Sequence, residues 1–226
     1  MNRRTFVKTT AVAGVAATTG LPAIASGGKL PVPESGIVPV AVVISKYATV
    51  IDFCGPWEVF QDAQAPGTAG FQPYTVSHTT DPIEATAGLK IVPNYSFENA
   101  PVPKVIVIPA QGGADETTFA WLRKMSPGTD VTMSVCTGAF VLGRAGLLAG
   151  KEATTHHEFF DKFEKSFPDV KLKRGVRFVE NDKISTAGGL TSGIDMALRV
   201  VERYFGRDVA QKTADYMEYQ SRGWIV

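Results

Sequence analysis

The chain has 226 residues, of which 44% are hydrophobic and 20% are charged, with a formal net charge of +1 and two cysteines. This composition is typical of a globular domain, and it excludes a disordered tail, a collagen-like repeat and a disulfide-dense miniprotein. Because the charge is near neutral and no block of Lys or Arg stands out, the sequence predicts no nucleic-acid partner.

The first 25 residues have the pattern of an export signal. Arg3 and Arg4 stand side by side, a weakly apolar stretch follows over 9–21, and an Ala-Ile-Ala tripeptide at 23–25 gives a small-x-small cleavage site. This pattern resembles a bacterial twin-arginine signal and predicts a periplasmic or extracellular location. The apolar stretch is too short for a stable membrane anchor.

Residues 26–35 contain two Gly and two Pro and are predicted to be a flexible lead-in. Residues 36–226 are long enough to bury one full core and are predicted to form a single domain. Short apolar, β-branched runs alternate with helical patterns, which predicts an α/β fold with a mostly parallel sheet covered on both faces. The predicted strands are 38–44, 71–78, 89–92, 104–109, 130–135, 153–155, 176–179 and 183–186, and the predicted helices are 55–60, 115–125, 138–148, 192–205 and 208–219.

The strongest local signal is a cysteine at a sharp junction between a strand and a helix. The predicted strand runs directly into Cys136, and the small residues Thr137, Gly138 and Ala139 begin a helix at once. This is the arrangement of a nucleophile elbow with Cys in place of Ser. The amide dipoles of the helix start are expected to stabilise the thiolate and to lower the thiol pKa from about 8.5 into the range of about 3.5–7.5. The alternative is a buried cysteine that packs as a small apolar side chain.

The elbow segment SVCTGAF at 134–140 resembles the DJ-1/PfpI (ThiJ/PfpI) superfamily of class I glutamine amidotransferase-like proteins. Four further segments carry the same resemblance: DFCGPWEVF at 52–60, AGLLAG at 145–150, ATTH at 153–156 and GIDMAL at 193–198. The nearest branch is that of the isocyanide hydratases and the sensor domains of AraC-like regulators. The resemblance implies a flavodoxin-like three-layer sandwich, a homodimer, a small-molecule substrate, no external cofactor, and a reactive cysteine beside a carboxylate.

Asp52 matches the family's carboxylate. It is predicted to end the first strand, just before Gly55 and Pro56 open a helix. Because the carboxyl ends of parallel strands meet at one edge of the sheet, Asp52 and Cys136 are expected to lie close together. A carboxyl next to a thiolate has a raised pKa and can act as a general acid near neutral pH. The alternative is a plain turn or helix-start acid.

Gly112 and Gly113 follow another strand end, where their N–H groups could hold a developing negative charge as an oxyanion hole. Thr137, directly after the cysteine, offers an N–H and a hydroxyl and resembles the hydratase branch. Peptidase-like members of the family carry His at that place, so the sequence disfavours a peptidase.

Two further residues lie in matching segments. His156 stands where many family members place a histidine, and it could orient the site or shuttle a proton, with a packing role as the alternative. Cys54 could pair with Cys136 as a redox switch in an oxidising compartment, with burial as a small side chain as the alternative. Three scattered histidines without an acidic cluster predict no metal site.

The sequence therefore predicts an exported cysteine enzyme, in its most concrete form a hydratase that converts an isocyanide to an N-formamide through a thioimidate on Cys136. Two alternatives stay open: a small-molecule amidase or glyoxalase-like hydrolase or lyase with the same cysteine, and a non-enzymatic redox sensor or protective protein. A regulator's sensor domain is disfavoured, because no helix-turn-helix segment follows the last predicted helix.

Overall fold

The computed structural model describes residues 22–68 and 70–226. The predicted twin-arginine segment lies almost entirely outside these residues, so its role in export stays a prediction. None of the helices in the described part of the chain has the length and apolar character needed to cross a bilayer.

The strands are β1 (Ile37–Val43), β2 (Gly70–Ser77), β3 (Ile83–Glu84), β4 (Lys90–Ile91), β5 (Tyr95–Ser96), β6 (Val105–Ile108), β7 (Val131–Val135), β8 (Glu152–Ala153), β9 (Lys171–Leu172), β10 (Phe178–Asn181) and β11 (Ile184–Ala187). The α-helices are α1 (Val50–Asp62), α2 (Glu116–Met125), α3 (Gly138–Arg144), α4 (Phe160–Ser166), α5 (Ser192–Phe205) and α6 (Arg207–Tyr216).

The central sheet has seven strands in the order β10-β11-β7-β6-β1-β2-β5. All neighbours in it are parallel except β10, which runs antiparallel to β11. Ser134 of β7 lies beside Ile108 of β6 and Thr186 of β11. These three strands therefore end at the same level, at the carboxyl edge of the sheet. Cys136 directly follows the end of β7 at this edge.

Each face of the sheet is covered by helices, which confirms the predicted three-layer α/β sandwich. Val40 and Val42 of β1 pack in one core with residues of α1 and α5, and Ala41 and Val43 pack in the other core with residues of α2 and α3. Because successive side chains of a strand point to opposite faces, a strand buried on both faces is largely apolar. This is why the sequence shows unbroken apolar runs at β1 and β6.

Helix α1 begins at Val50, whereas the sequence analysis placed the helix start at Gly55 and Pro56, and that prediction was wrong. Pro56 lies inside the helix, where its missing N–H removes the hydrogen bond to the Asp52 carbonyl oxygen. The helix tolerates this because it packs tightly on α5, where a Cβ atom on Gly55 would stand 2.8 Å from Ile194 Cγ1. As a result Asp52 lies in the first turn of α1 rather than at the end of β1.

Residues 22–30, which include part of the predicted flexible lead-in, lie against β10 and α5. The Ile24 N–H donates to the Phe178 carbonyl oxygen at 2.9 Å, and the Ile24 carbonyl oxygen accepts from the Glu180 N–H at 2.8 Å. Strand β10 is at the edge of the sheet, so its outer backbone groups have no strand partner and can pair with a passing segment. Farther along, the Gly27 carbonyl oxygen accepts from Arg199 at 2.8 Å, which fixes the segment to α5.

The same region holds a buried ion cluster between β10 and α5. The Glu180 side chain is fully buried; its Oε2 lies 3.2 Å from Arg199 Nε, and its Oε1 lies 3.3 Å from Arg203 Nη1. The Arg203 side chain is only 4% exposed. Because neither charge can reach bulk water, each depends on the other for its electrostatic stabilisation.

We expect Glu180→Ala to lower the free energy of unfolding by about 3–5 kcal/mol, because it leaves the buried Arg203 guanidinium without its carboxylate partner. The matched control is Glu116→Ala, which breaks the exposed pair with Arg123 and should cost at most about 1 kcal/mol. Urea unfolding followed by circular dichroism measures both values. Equal effects of the two substitutions would contradict the structural role of the cluster.

Candidate active site

Cys136 lies in the turn between β7 and α3 with a backbone φ of 58°, in the left-handed region that residues other than Gly rarely adopt. Three hydrogen bonds hold this conformation. The Cys136 N–H donates to the carbonyl oxygens of Gly188 at 2.8 Å and Ala187 at 3.2 Å, and its carbonyl oxygen accepts from Thr155 Oγ1 at 2.9 Å. A strained residue that is fixed from both sides is a common feature of functional sites.

Gly138, the first residue of α3, is required by close packing under the turn. A Cβ atom at this position would stand 2.2 Å from the Ile108 carbonyl oxygen and 2.9 Å from the Pro109 carbonyl oxygen. Both atoms are backbone, so neither can move aside without shifting the end of β6. The sharp elbow predicted from the sequence therefore exists because glycine lets the start of α3 lie directly against the end of β6.

Asp52 lies opposite the cysteine and is fully buried. Its Oδ2 accepts a hydrogen bond from the Ala110 N–H at 3.1 Å, and the Thr49 N–H donates to the Ala110 carbonyl oxygen at 2.8 Å. These two bonds fasten the start of α1 to the chain that leaves β6. Asp52 Oδ1 has no hydrogen-bond partner among the described residues, and the carboxyl faces the Cys136 thiol, as the family resemblance implied.

Burial raises the pKa of both acids. Loss of solvent raises the pKa of Asp52 from 3.8 to about 6, partly offset by hydrogen bonding from Ala110 and the Cys136 thiol. The pKa of Cys136 is raised to about 12, mainly by burial and secondly by the charge of Asp52. Hydrogen bonding from the N–H groups of Thr137 and Leu190 lowers this pKa by a smaller amount. The expectation of a lowered thiol pKa was therefore wrong. The reason is that the sulfur is only 7% exposed and faces a carboxylate, which outweighs the dipole of a seven-residue helix.

The two acids cannot both be ionised in this position, so near neutral pH the site holds one negative charge. That charge lies on Asp52, since an ordinary carboxyl is a stronger acid than a thiol by about 4.5 pKa units and burial raises the pKa of both groups. The thiol is neutral and the carboxylate beside it is able to accept the thiol proton. The structure thus brings Cys136, Asp52 and the Thr137 N–H together, with an ionised carboxyl that suits Asp52 to accept a proton in the resting site.

Gly112 and Gly113 do not provide free oxyanion donors. Their N–H groups both donate to the Lys46 carbonyl oxygen, at 2.9 Å and 3.2 Å. These contacts disfavour the oxyanion role predicted for the two glycines and indicate instead that they allow the loop after β6 to approach the loop after β1. A Cβ atom on Gly113 would stand 2.9 Å from the Lys46 backbone nitrogen.

His156 contacts the loop after β11 rather than the reacting pair. Its ring lies against Gly189, where a Cβ atom would stand 2.2 Å from His156 Cδ2, and its Nδ1 accepts from the Glu158 N–H at 3.3 Å. It also stacks on His157 with ring centroids 4.4 Å apart. These contacts favour the packing alternative for His156 over the proton-shuttle alternative.

Cys54 and Cys136 are both free thiols in this structure. Cys54 is half-buried on α1, packed against the core, and burial raises its pKa, with a smaller contribution from Glu58. The redox pairing considered for the two cysteines is not formed, and the arrangement of Cys54 favours the alternative of a small packed side chain.

Five residues that contact the site were not identified from the sequence: Ala110, Thr155, Ala187, Gly188 and Leu190. Ala110 and Leu190 act through backbone N–H groups, which have no side-chain signature. Leu190 has a φ of 51°, a conformation that nothing in its residue type indicates. Thr155 could have been found, because it lies inside one of the segments that carry the family resemblance.

The model of the DJ-1/PfpI family matches residues 38–203. The isonitrile hydratase of Pseudomonas putida is 35% identical over 174 residues, which span 75% of this chain and 73% of the hydratase. A ThiJ/PfpI family protein from Pseudomonas syringae has a crystal structure that superposes with a TM-score of 0.73 at 29% identity, covering 84% of this chain and 78% of that protein.

The HTH-type transcriptional regulator GbdR of Pseudomonas aeruginosa is 25% identical over 161 residues. The match covers 70% of this chain but only 44% of the regulator. The chain therefore spans less than half of this regulator, and the likeness concerns one part of it.

We expect Asp52→Asn to stabilise the protein at high pH and to leave its stability unchanged at low pH. Since the folded-state pKa of Asp52 is raised from 3.8 to about 6, the wild type loses stability as the pH rises through this interval. The variant should exceed the wild type by about 3 kcal/mol at pH 8 and match it near pH 4. Urea unfolding across this range measures the difference.

The control for this prediction is Asp169→Asn, which removes the same charge from an exposed position. The difference in unfolding free energy between this variant and the wild type should not show a comparable rise with pH. A constant offset between Asp52→Asn and the wild type from pH 4 to pH 8 would contradict the raised pKa of Asp52.

Proposed function

This chain belongs to the DJ-1/PfpI family, and we propose that it is a cysteine-dependent hydratase that adds water to an isonitrile, R–NC, to give an N-formamide, R–NH–CHO. The observation that carries the proposal is the buried Asp52 carboxylate, with one unpartnered oxygen, facing the thiol of a strained and immobilised Cys136. The similarity to an isonitrile hydratase supports the choice of substrate class.

In the first step, sulfur attacks the terminal carbon of the isonitrile while Asp52 accepts the thiol proton. Asp52 then returns this proton to the same carbon, which gives the thioimidate R–N=CH–S on Cys136. One S–H bond breaks, and one S–C bond and one C–H bond form. A carboxyl with a pKa of about 6 is suited to both transfers, because it is ionised at neutral pH and yet is a stronger base than an ordinary Asp.

In the second step, water attacks the thioimidate carbon and Asp52 accepts a proton from it. The nitrogen takes the second proton of that water as the C=O bond forms, the C–S bond breaks, and the sulfur regains its proton from Asp52. The net change is the consumption of one water and the release of R–NH–CHO. Covalent catalysis divides one difficult addition into two easier ones, and the enzyme returns to its starting protonation state.

The hydrogen bonding of Gly112 and Gly113 favours this reaction over amide or other carbonyl chemistry. Attack on a carbonyl places a negative charge on oxygen, which enzymes of that type stabilise with free N–H donors. Here both glycine N–H groups already donate to Lys46. Attack on an isonitrile has no carbonyl oxygen, and the developing charge on carbon is removed by protonation.

The burial of Cys136 also favours catalysis over a sensor that works by oxidation. Oxidation by peroxide requires an accessible thiolate. The sulfur is 7% exposed and its pKa is raised to about 12, so the thiolate is scarce until a substrate provides an acceptor for its electrons.

The proposal includes export and assembly. The twin-arginine pattern around Arg3 and Arg4 supports transport to the periplasm or beyond, and the family resemblance supports a homodimer. Cell fractionation of the wild type and an Arg3→Lys, Arg4→Lys double variant tests export. Light scattering of the purified protein tests the dimer.

We expect purified wild-type protein to consume an isonitrile, with loss of its infrared N≡C absorption and formation of the formamide detected by mass spectrometry. Cys136→Ala should lower kcat/KM by at least about 10³-fold, because it removes the nucleophile. Cys54→Ala, which removes the other cysteine, should leave turnover unchanged. No turnover by the wild type across aliphatic and aromatic isonitriles would exclude this substrate class.

We also expect kcat/KM to fall roughly tenfold per pH unit below about pH 6, because protonated Asp52 cannot accept the thiol proton. Steady-state rates between pH 4.5 and 8 are to be measured, at conditions where circular dichroism shows the protein folded. A kcat/KM that does not change over this range would rule out Asp52 as the base.

A further inference from the structure

The loop of residues 188–191, between β11 and α5, touches the nucleophile through two backbone groups. The Gly188 carbonyl oxygen accepts from the Cys136 N–H at 2.8 Å, and the Leu190 N–H faces the sulfur. The Leu190 side chain is 44% exposed and its φ is 51°, so its own packing does little to fix the loop. The position of the Leu190 N–H must therefore be set by contacts elsewhere in the loop.

Arg177, just before β10, holds the loop at both ends. Its carbonyl oxygen accepts from the Gly188 N–H at 2.9 Å, and its Nη2 donates to Thr191 Oγ1 at 3.3 Å. The guanidinium is itself fixed by an ion pair with Asp195 of α5, whose side chain is fully buried. Arg177 does not contact Cys136 through any of these bonds.

Tyr219, in the segment after α6, completes the connection. Its hydroxyl donates to the Thr191 carbonyl oxygen at 3.1 Å and accepts from Arg177 Nη2 at 3.3 Å. Gly223 packs against the ion pair, since a Cβ atom there would stand 2.7 Å from Asp195 Oδ2. The carboxyl-terminal segment 219–224 thus lies against the loop that faces the nucleophile.

We propose that Tyr219 and Arg177 are positioning residues, which hold the loop of residues 188–191 so that the Gly188 carbonyl oxygen keeps its bond to the Cys136 N–H and the Leu190 N–H stays directed at the Cys136 sulfur. Neither residue touches the reacting atoms; both act through Thr191 and Gly188. The change in kcat that we expect for variants of these residues rests on the function proposed above. The change that we expect in the reactivity of the Cys136 thiol does not rest on it.

The physical basis is the steep dependence of a hydrogen bond on distance and angle. An N–H aimed at sulfur stabilises the charge that develops there when the thiol proton leaves, and this contribution weakens when the loop relaxes. Asp52 of α1 is the ionisable side chain that faces the sulfur, and it keeps its Ala110 bond when Tyr219 is changed. The charge of Arg177 is balanced by Asp195 and is the same in the wild type and in the variants chosen below.

The test compares Tyr219→Phe with Tyr216→Phe, which removes the hydroxyl of a 74% exposed tyrosine on α6. The rate of alkylation of Cys136 by iodoacetamide is measured between pH 7 and pH 10, with the modified peptide identified by mass spectrometry. Tyr219→Phe should lower this rate about three- to tenfold at each pH, as expected for a weakened hydrogen bond to a charged group. Tyr216→Phe should leave it unchanged.

With an isonitrile as substrate, kcat of Tyr219→Phe should fall by a similar factor, with KM within about twofold of the wild type. Arg177→Lys keeps the charge beside Asp195 but loses the planar fork that reaches Thr191 and Tyr219, so it should reproduce both effects. Thermal unfolding monitors the stability of every variant.

The proposal is overturned if Tyr219→Phe and Arg177→Lys lower the melting temperature while the alkylation rates stay at the wild-type values. In that case both residues serve stability alone. Slower alkylation in both variants, together with no isonitrile turnover by the wild type, would support the positioning of the loop and refute the hydratase function. The two proposals therefore fail separately.

Discussion

The site depends on two acidic groups that share one buried position and can hold only one negative charge between them. Asp52 has the lower pKa of the pair, so it carries that charge and Cys136 stays a neutral thiol. A resting thiolate would be open to every oxidant and electrophile that reaches it. A thiol that ionises only as it attacks limits its reactivity to molecules that enter the site and accept its electrons. Burial therefore contributes selectivity at the expense of intrinsic nucleophilicity.

The fold keeps this pair together by fastening five separate segments through hydrogen bonds that each involve a backbone group. The Asp52 carboxyl binds Ala110 after β6, the Cys136 N–H binds Gly188 after β11, and the Cys136 carbonyl oxygen binds Thr155 before α4. Parallel strands that end level make these short connections possible. Because each segment is tied to the sheet, the strained φ of Cys136 is fixed by several independent contacts.

The sequence was sufficient to predict the sandwich, the elbow at Cys136 and its pairing with Asp52, because apolar runs, small residues and segment resemblance are local signals. It was not sufficient to predict the charge state of the pair, which depends on how far residues distant in the sequence exclude water. Nor could it show that Gly112 and Gly113 are occupied, because their acceptor is the backbone of Lys46, which any residue type supplies. The start of α1 was missed since Pro56 usually marks a first turn, and tertiary packing on α5 outweighs that preference.

The pairing of Ile24 with the outer side of β10 bears on the predicted removal of the export signal. A cut after Ala25, the predicted cleavage site, would release this single bridge residue from the edge it covers, while Gly27 stays bound to Arg199. The precursor and the processed protein would then differ in one respect: only the latter presents open backbone donors and acceptors along β10, a surface on which another extended chain can add itself.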